Sequence, residues 1–275
     1  MMHLKTSASD EPMALARLWR RLDRVRSPLI LAGGVVLFWE AVIRLFKVPT
    51  FVLPAPTVIV TALIAHRREL AIAAQATALE VLFGFLMSAL VGVAVALVIV
   101  RFERFGRALY PLVVLFQNVP KVALAPIFIL WFGYGLAPKI LLIVVIAFFP
   151  VAIDMLAGLQ SVEPSFVSLM RSVGASQSKI MLKVRIPHAL PHLIAGLKVA
   201  VTFSVIGAIV GEFAGATKGL GYLIEFASTQ LDTPQIFAAL LVVSVLGLAF
   251  YYVVEYVERW VVPWAPKFDP VHTTG

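Results

Sequence analysis

The sequence predicts an all-α membrane protein with about six transmembrane helices. Of its 275 residues, 61% are hydrophobic and only 14% are charged, and the mean hydropathy is +0.96. Soluble globular chains are about 45–50% apolar and about 25% charged, so a soluble domain of this length could not bury so much apolar surface. The apolar residues are gathered into runs close to the ~20 residues that a helix needs to cross a bilayer. We therefore expect a multi-pass membrane protein.

Charge and cysteine content exclude two other classes of function. The formal net charge is +8, but the basic residues lie between the apolar runs instead of forming a patch, which argues against nucleic-acid binding. The chain has no cysteine, so disulfides and thiolate metal sites are excluded. His188 and His192 have the spacing of two metal ligands, but Pro187 and Pro191 flank them and no carboxylate completes a set. We predict neither a nucleic-acid partner nor a metal site.

The apolar runs define the spans in order. They are Pro28–Phe46, Ala71–Val100, Ala108–Gly135, Pro138–Leu159, Leu190–Gly215 and Pro234–Trp260. Prolines in the motif FVLPAP break the stretch between the first two spans, so Lys47–Leu70 is predicted to be an external connection. Arg101–Arg107 carries three arginines and is predicted to be an internal loop, whereas the glycine-rich stretch Ala216–Thr233 is predicted to be an external connection.

The distribution of basic residues predicts that both termini are cytoplasmic. This alternation of spans assigns 15 of the 23 lysines and arginines to internal segments, although Arg67 and Arg68 fall outside. We expect a cytoplasmic N-terminal segment over residues 1–27, a transmembrane domain over 28–264 and a C-terminal tail over 265–275. Because residues 1–27 are polar and basic, we expect no cleavable signal peptide there.

The third span is interrupted in its middle by the sequence QNVPK. Non-helical backbone at membrane depth is tolerated only where protein or a water-filled cavity surrounds it. Gln117, Asn118 and Lys121 are therefore candidates for lining a solute pathway. Ionisable residues within spans usually face the bundle interior or a wet cavity. For Glu212, lining of the pathway and pairing of helices both remain open, whereas Glu80 is predicted to bond across helices.

A polar stretch, Ser161–Pro191, interrupts the second half of the chain. Pro164 suits the first position of a helix, and Gly174 suits a stop on a left-handed residue. Between them, apolar residues recur at the 3, 4 and 7 spacing of one helix face, at Phe166, Leu169, Met170 and Val173. Ser176 can cap a second short helix, which we expect Pro187 to end. Two short amphipathic helices around a glycine are typical of a docking element and not of a span.

This stretch resembles the cytoplasmic EAA loop of ABC-importer permeases. In that family a Glu-Ala-Ala triplet is followed by three residues, a glycine, nine residues and Ile-x-Leu-Pro. Gly174 matches the glycine, and Val184, Ile186 and Pro187 match later positions, whereas the triplet falls on Ser168, Leu169 and Met170 and is degenerate. In the family this loop is the coupling helix that sits in a cleft of the ATPase. The resemblance implies an ATPase-coupling role for Ser168, Leu169, Met170, Gly174, Ala175, Val184 and Pro187.

Three further stretches resemble permeases for sulfonates, taurine, nitrate, thiamine precursors and riboflavin. They are FVLPAP from Phe51, KVALAPIFILWFGYGLAPK from Lys121 and GEFAGATKGLGYLI from Gly211. The resemblance implies the type I ABC importer permease fold. It also implies a permease homodimer, two ATPase subunits and an extracytoplasmic solute-binding protein as partners, besides membrane lipid.

The predicted function is that of the permease subunit of an ATP-driven importer. The chain has no G-x-x-x-x-G-K-[ST] phosphate-binding loop, so we expect ATP to be used by a separate subunit and this chain to be neither an enzyme nor a cofactor carrier. The resemblance favours a pyrimidine thiamine precursor or riboflavin as solute, or otherwise a sulfonate- or nitrate-type anion. The alternatives are a stand-alone secondary transporter, which would be expected to show an internal repeat, and an integral-membrane enzyme, which would need a catalytic constellation.

Overall fold

The computed structural model describes residues 29–264, with the backbone alone described at Glu103. The predicted N-terminal segment and C-terminal tail therefore lie outside the described residues, apart from residue 28 at the start of the first predicted span. Within the described range every regular element is helical and no strand is present.

Eleven α-helices and two short helical segments of other types follow one another along the described chain. They are α1 (29–45), α2 (Pro56–Ala65), α3 (Arg67–Arg101), α4 (Glu103–Gln117), a 3₁₀ turn (Lys121–Leu124), α5 (Ala125–Phe132), α6 (Leu136–Gln160), α7 (Pro164–Ser172), α8 (Gln177–Ile180), a π turn (Met181–Arg185), α9 (Ile186–Phe213), α10 (Leu220–Thr229) and α11 (Thr233–Val261).

Four of these helical stretches are long and apolar enough to cross a membrane. They are α3, α6, the stretch Gln177–Phe213 and α11, and a pair of shorter segments bent by 88° adds a fifth span if it is counted as one. The helix α1 occupies the region of the first predicted span. The all-helical membrane fold is thus confirmed, whereas the cytoplasmic position of the termini stays a prediction.

The helices α3, α6 and α9 pack together as the centre of the bundle. The largest side chains buried there include Leu142, Ile143 and Met155 of α6. Glycines let the helix backbones approach, as at Gly92 of α3, where an added Cβ atom would lie 2.6 Å from the Cβ of Val151. Small residues at such contacts are typical of helix association in lipid.

Three predicted connections are more helical than expected. The external connection Lys47–Leu70 contains α2 and the first turn of α3, so Arg67 and Arg68 are helical residues. The predicted internal loop at Arg101–Arg107 is a turn in which Phe102 alone separates α3 from α4. This turn needs Gly106, because an added Cβ there would overlap the carbonyl of Ile99.

The third of these connections, Ala216–Thr233, contains the helix α10. Gly215, at φ +156°, and Gly219, at φ +121°, lie in the turn before α10, and the helix starts directly after Gly219. The glycines that indicate a loop therefore lie only in the first part of this connection. Leu220 begins a helix that packs on α9 and α11.

Candidate functional site

Gly174 ends α7 in the way that the sequence predicts. Its φ is +78°, a conformation that favours glycine. Its N–H donates to the carbonyl of Arg171 at 3.0 Å, and the N–H of Ala175 donates to that of Met170 at 2.9 Å. These two bonds form a Schellman motif, which satisfies carbonyls that the helix end leaves without partners. The direction in which the chain leaves α7 is therefore set by this glycine.

The apolar face of α7 is turned away from the rest of the protein. Phe166 is 59% exposed, Leu169 60% and Val173 72%, whereas Val167 on another face is 8% exposed. These three large apolar side chains lie along about two turns, with Val173 as the C-cap residue of α7, and form an exposed patch, which indicates an interaction surface. We call Phe166, Leu169 and Val173 the α7 patch.

The chain after Gly174 remains helical much further than expected. Ser176 caps α8 as predicted, accepting from the N–H of Lys179 at 3.4 Å. The expectation that Pro187 ends this helix is wrong, because α8, the π turn and α9 form one stretch of 37 residues from Gln177 to Phe213. The missing N–H of Pro187 is tolerated because it lies in the first turn of α9, directly after the π turn.

The residues assigned to ATPase coupling differ in accessibility. Ser168, Leu169 and Gly174 are exposed, and Met170, Ala175, Val184 and Pro187 are half-buried. A bond between His188 Nε2 and Ser161 Oγ at 3.1 Å joins the two ends of this polar element. The α3–α4 turn lies beside it, since Arg101 and Arg171 line the same groove. The two segments predicted to be internal are therefore on one side of the protein.

The break in the third span lies at the predicted position. Helix α4 ends at Gln117, and a bend of 88° separates it from the helical segment that begins at Lys121. Carbonyls at a helix end lack intrahelical partners. Here side chains serve as donors: the Lys121 ammonium donates to the Gln117 carbonyl at 2.9 Å, and the Asn118 amide donates to that of Val114 at 3.0 Å. The polar residues thus stabilise the break.

An apolar cavity of about 390 Å³ lies beneath this break. Phe116, Phe148 and Phe149 line it, and Lys121 is the single charged residue among the described residues of its wall. The Lys121 ammonium lies 4.5 Å from the centre of the Phe149 ring, within the range of a cation–π contact. Gln117 and Asn118 are exposed at the break and Lys121 is half-buried. Of these three predicted pathway residues, Lys121 lines the cavity, whereas Gln117 and Asn118 lie at the break beside it.

Glu212 is placed elsewhere, in a fully buried junction of three helices. Its carboxylate accepts a hydrogen bond from Thr77 Oγ1 of α3 at 2.7 Å and another from the N–H of Gly221 in the first turn of α10. The N–H of Leu220 donates in turn to Thr77 Oγ1 at 2.8 Å. A carboxylate at a helix N-terminus is stabilised by the unpaired N–H groups there. These contacts favour the helix-pairing interpretation of Glu212 over the pathway interpretation.

A second buried charge joins α3 to α6. The Lys139 ammonium donates to Glu80 Oε1 at 2.6 Å, and the side chains are 8% and 0% exposed. The prediction that Glu80 bonds across helices is confirmed. Its partner was missed, because Lys139 is 59 positions away and lies at the start of a span, where a lysine commonly reaches the membrane surface.

The helical bundle, the exposed patch and the broken span are features of a membrane protein, and comparison with known proteins gives its family. The chain belongs to the family of binding-protein-dependent transport system inner membrane components, whose model matches residues 84–263.

Individual relatives cover nearly the whole chain. The "Formylaminopyrimidine transport permease protein ThiX" of Halalkalibacterium halodurans is 35% identical over 249 residues, which are 90% of this chain and 99% of the relative. A "Probable ABC transporter permease protein" of Haemophilus influenzae is 35% identical, covering 85% and 95% of the two chains. The "Riboflavin transport system permease protein RibX" of Chloroflexus aurantiacus is 32% identical, covering 84% and 87%.

Solved structures share the fold. A chain of the MetNI methionine ABC transporter in an inward-facing conformation is 21% identical, with a TM-score of 0.57, and the match covers 70% of this chain and 94% of that one. The protein is therefore the permease subunit of an ABC importer, a multi-pass protein of the inner membrane and not an enzyme. Nothing in these comparisons supports the alternative of a secondary transporter.

Proposed function

We propose that the α7 patch is the surface through which an ATPase subunit drives this permease. The observation that carries the proposal is the exposure of Phe166, Leu169 and Val173 on one face of a helix whose end is set by Gly174. An apolar patch of this kind would be costly to leave in water and fits a cleft in a partner protein. The position of α7 in the element that resembles the EAA loop supports the same role.

The covalent path from this surface into the membrane is short and helical. Only residues 173–176 separate α7 from the continuous helical stretch that ends at Phe213. A displacement of α7 would therefore move α9 as well, because only a short non-helical segment lies between them. We infer that ATP binding closes the two ATPase subunits, displaces α7 and shifts α9 between two states, because each state binds the closed ATPase differently.

The test places a charge on the α7 patch and compares it with a charge elsewhere on α7. Leu169→Glu puts a carboxylate in the centre of the patch, where burial against the ATPase would be unfavourable. Ser168→Glu places the same charge about 160° round the helix from Phe166, at an exposed position where the EAA triplet itself has a glutamate. We expect the ATPase subunit to co-purify with wild-type permease and with Ser168→Glu, but not with Leu169→Glu.

Both variants should remain in the membrane fraction, because neither site is buried in the bundle. Equal recovery of the ATPase with both variants would contradict the assignment of the α7 patch. Loss of the ATPase from both would show that any charge on α7 is harmful and would leave no special role for this face.

We propose further that two copies of this permease transport a heteroaromatic solute delivered by a solute-binding protein. The named relatives at 35% and 32% identity transport formylaminopyrimidine and riboflavin, whereas a relative named as an aliphatic sulfonate permease in Bacillus subtilis is 29% identical. The cavity below the break is lined by three phenylalanine rings, which suit contact with a planar ring, and the Lys121 ammonium is bonded to the Gln117 carbonyl beside it. Gln117, Asn118 and Lys121 are the proposed pathway residues, and Glu212 supports the outer end of α9.

Uptake by reconstituted transporter distinguishes the solute classes. Proteoliposomes that contain the permease, its ATPase and its binding protein are supplied with labelled formylaminopyrimidine, riboflavin or taurine, with ATP inside. We expect ATP-dependent uptake of one of the two ring compounds and none of taurine. Uptake of taurine alone would contradict the heteroaromatic assignment without affecting the proposal for the α7 patch.

A further inference from the structure

A groove of about 530 Å³ lies between the α3–α4 turn and the α7–α8 element. Four arginines from these separate segments converge on it, namely Arg101, Arg104, Arg171 and Arg185. None of the described side chains that line the groove is acidic. Four like charges in one groove repel one another unless an anion lies between them. The groove is therefore suited to a negatively charged ligand.

The hydrogen-bond donors of these arginines are largely unused within the described residues. None of the four forms an ion pair with a described side chain, and Arg101 contacts the ring of Phe102 at 5.5 Å. The Nε atom of Arg185 is buried and has no hydrogen-bond partner among the described residues. The charge of four guanidinium groups in one groove is thus not balanced by the described side chains, which indicates an acceptor supplied from outside the chain.

The position of the groove indicates the source of that acceptor. Arg101 is the last residue of α3, directly after a strongly apolar run, so the groove begins where the helix leaves the hydrocarbon layer. Phe102 and Phe105 line the same groove, and each is 56% exposed. Phenylalanines on one side and arginines on the other are typical of segments that lie at the membrane interface. The groove thus combines apolar surface with positive charge, which complements the acyl and phosphate groups of an anionic lipid.

We propose that this groove binds the phosphate group of an anionic phospholipid, such as phosphatidylglycerol. The arginines bind the phosphate oxygens through their planar guanidinium groups, which match phosphate geometry in pairs of hydrogen bonds. The phenylalanine rings contact the glycerol and the first methylene groups. Basic pockets between transmembrane helices on the cytoplasmic side are suited to such headgroups. An acidic surface of a protein partner fits the exposed phenylalanines less well, because it would bury them against charge.

The groove also connects the α3–α4 turn with α7, the helix that carries the α7 patch. Arg101 and Arg104 belong to the α3–α4 turn, whereas Arg171 belongs to α7 itself. A phosphate held between them would attach α7 to the end of α3 at the membrane surface. The inference does not depend on the proposed function, since lipid binding can be measured on the permease without any ATPase.

The experiment counts lipids retained by the purified permease in native mass spectrometry. Wild-type protein is titrated with dioleoylphosphatidylglycerol and, separately, with dioleoylphosphatidylcholine. The variant Arg101→Gln/Arg171→Gln removes two charges from the groove, and the control Arg67→Gln/Arg68→Gln removes two charges from the first turn of α3, at its other end. We expect about 30-fold weaker phosphatidylglycerol binding in the groove variant and little change in the control.

A second variant keeps the result interpretable if the first is poorly folded. Arg101→Lys/Arg171→Lys preserves both charges but loses the planar fork, so we expect it to fall between the wild type and the glutamine variant. Equal retention of phosphatidylglycerol by the wild type and both groove variants would overturn the proposal. Equal retention of phosphatidylcholine by the wild type would also overturn it, because apolar contact alone would then explain binding.

Two further measurements test whether a free anion or the ATPase occupies the groove instead of a lipid. Displacement of phosphatidylglycerol by inorganic phosphate at matched concentration would assign the groove to a free anion and would overturn the lipid assignment. Failure of Arg101→Gln/Arg171→Gln to co-purify with the ATPase, with unchanged lipid binding, would assign the groove to the ATPase instead. Loss of lipid binding with the ATPase still co-purifying would support the proposal directly.

Discussion

Gly174 is a single residue whose backbone conformation decides the orientation of a functional element. At φ +78° nothing lies within 4 Å of the place where a side chain would begin, so the constraint is on the backbone and not on space. A residue other than glycine in the left-handed region costs about 1–2 kcal/mol, and asparagine is among the residues that adopt it most readily. The choice of substitution can therefore separate backbone strain from loss of a contact.

We expect Gly174→Val to lose the ATPase in co-purification and Gly174→Asn to retain it. Valine is branched at Cβ and disfavours the left-handed conformation, so α7 would leave its position relative to α8. Both substitutions add a side chain in open space, which makes asparagine a matched control for size. Loss of the ATPase from both variants would mean that the ATPase packs directly against Gly174 and that its φ angle is not the reason for its role.

Two buried contacts show how the long helices are held together at the level of elements. Glu80 and Lys139 join α3 to α6, while Glu212 joins α9 to α3 and α10. An ion pair that excludes water contributes little net stability when intact, but removal of one partner leaves an uncompensated charge in a poorly solvated place. These contacts therefore act chiefly by specifying which helices are neighbours.

Lys139→Met should destabilise the permease by about 3–5 kcal/mol, because Glu80 would remain buried without a partner. The double variant Lys139→Met with Glu80→Leu should recover most of this loss, since both groups are replaced by apolar ones. Lys198→Met is the matched control, because its partner Glu258 lies 2.6 Å away in a pair whose side chains are 22% and 32% exposed. The measurement is the melting temperature in detergent. A Lys139→Met loss no larger than the Lys198→Met loss would contradict the importance of burial.

Features of the elements that depend on nearby residues could be predicted from the sequence. Pro164 at the start of α7, Gly174 at its end and the Ser176 cap depend on contacts within a few residues, and all three were predicted. Contacts between distant residues could not be predicted in full. The Thr77–Glu212 pair spans 135 positions, and no local pattern indicates which polar residues meet inside a bundle.

The errors have a common cause in tertiary packing. The sequence predicts a helix end at Pro187 and a connection over Ala216–Thr233, but a π turn lets the chain remain helical at Pro187, and α10 begins directly after Gly219. Burial against neighbouring helices stabilises such segments beyond their local propensity. The α7 patch itself has a clear sequence signal, since its apolar spacing is that of a helix, but its exposure is visible only in the structure.

For the molecule as a whole, we propose that a solute crosses the membrane at the broken span. The break exposes Gln117 and Asn118 beside an apolar cavity. A water-filled pathway would place these two side chains in water, whereas the outer surface of the bundle contacts lipid. Chemical labelling makes this distinction, and the natural chain is a suitable background because it has no cysteine.

We expect Gln117→Cys to react with a charged, membrane-impermeant maleimide in the assembled transporter. Leu90→Cys is the control for lipid exposure, because Leu90 is 66% exposed on α3 and lies within an apolar run. It should react with a lipid-soluble maleimide but not with the charged one. Failure of Gln117→Cys to react with the charged reagent in the presence and absence of ATP would contradict a water-filled pathway at the break.

The continuous helical stretch from Gln177 to Phe213 bears on how the membrane stays impermeable to ions during transport. Its 37 residues would span about 55 Å if straight, more than the ~30 Å of the hydrocarbon layer. Its first turns follow the α7 patch, and its last turn carries Glu212, which holds the start of α10. A π turn and Pro191 lie within this stretch, but no loop interrupts it, so its two ends are joined by helix throughout. We therefore expect opening at one membrane face to be tied to rearrangement at the other, which would let the protein admit a solute without discharging the membrane potential.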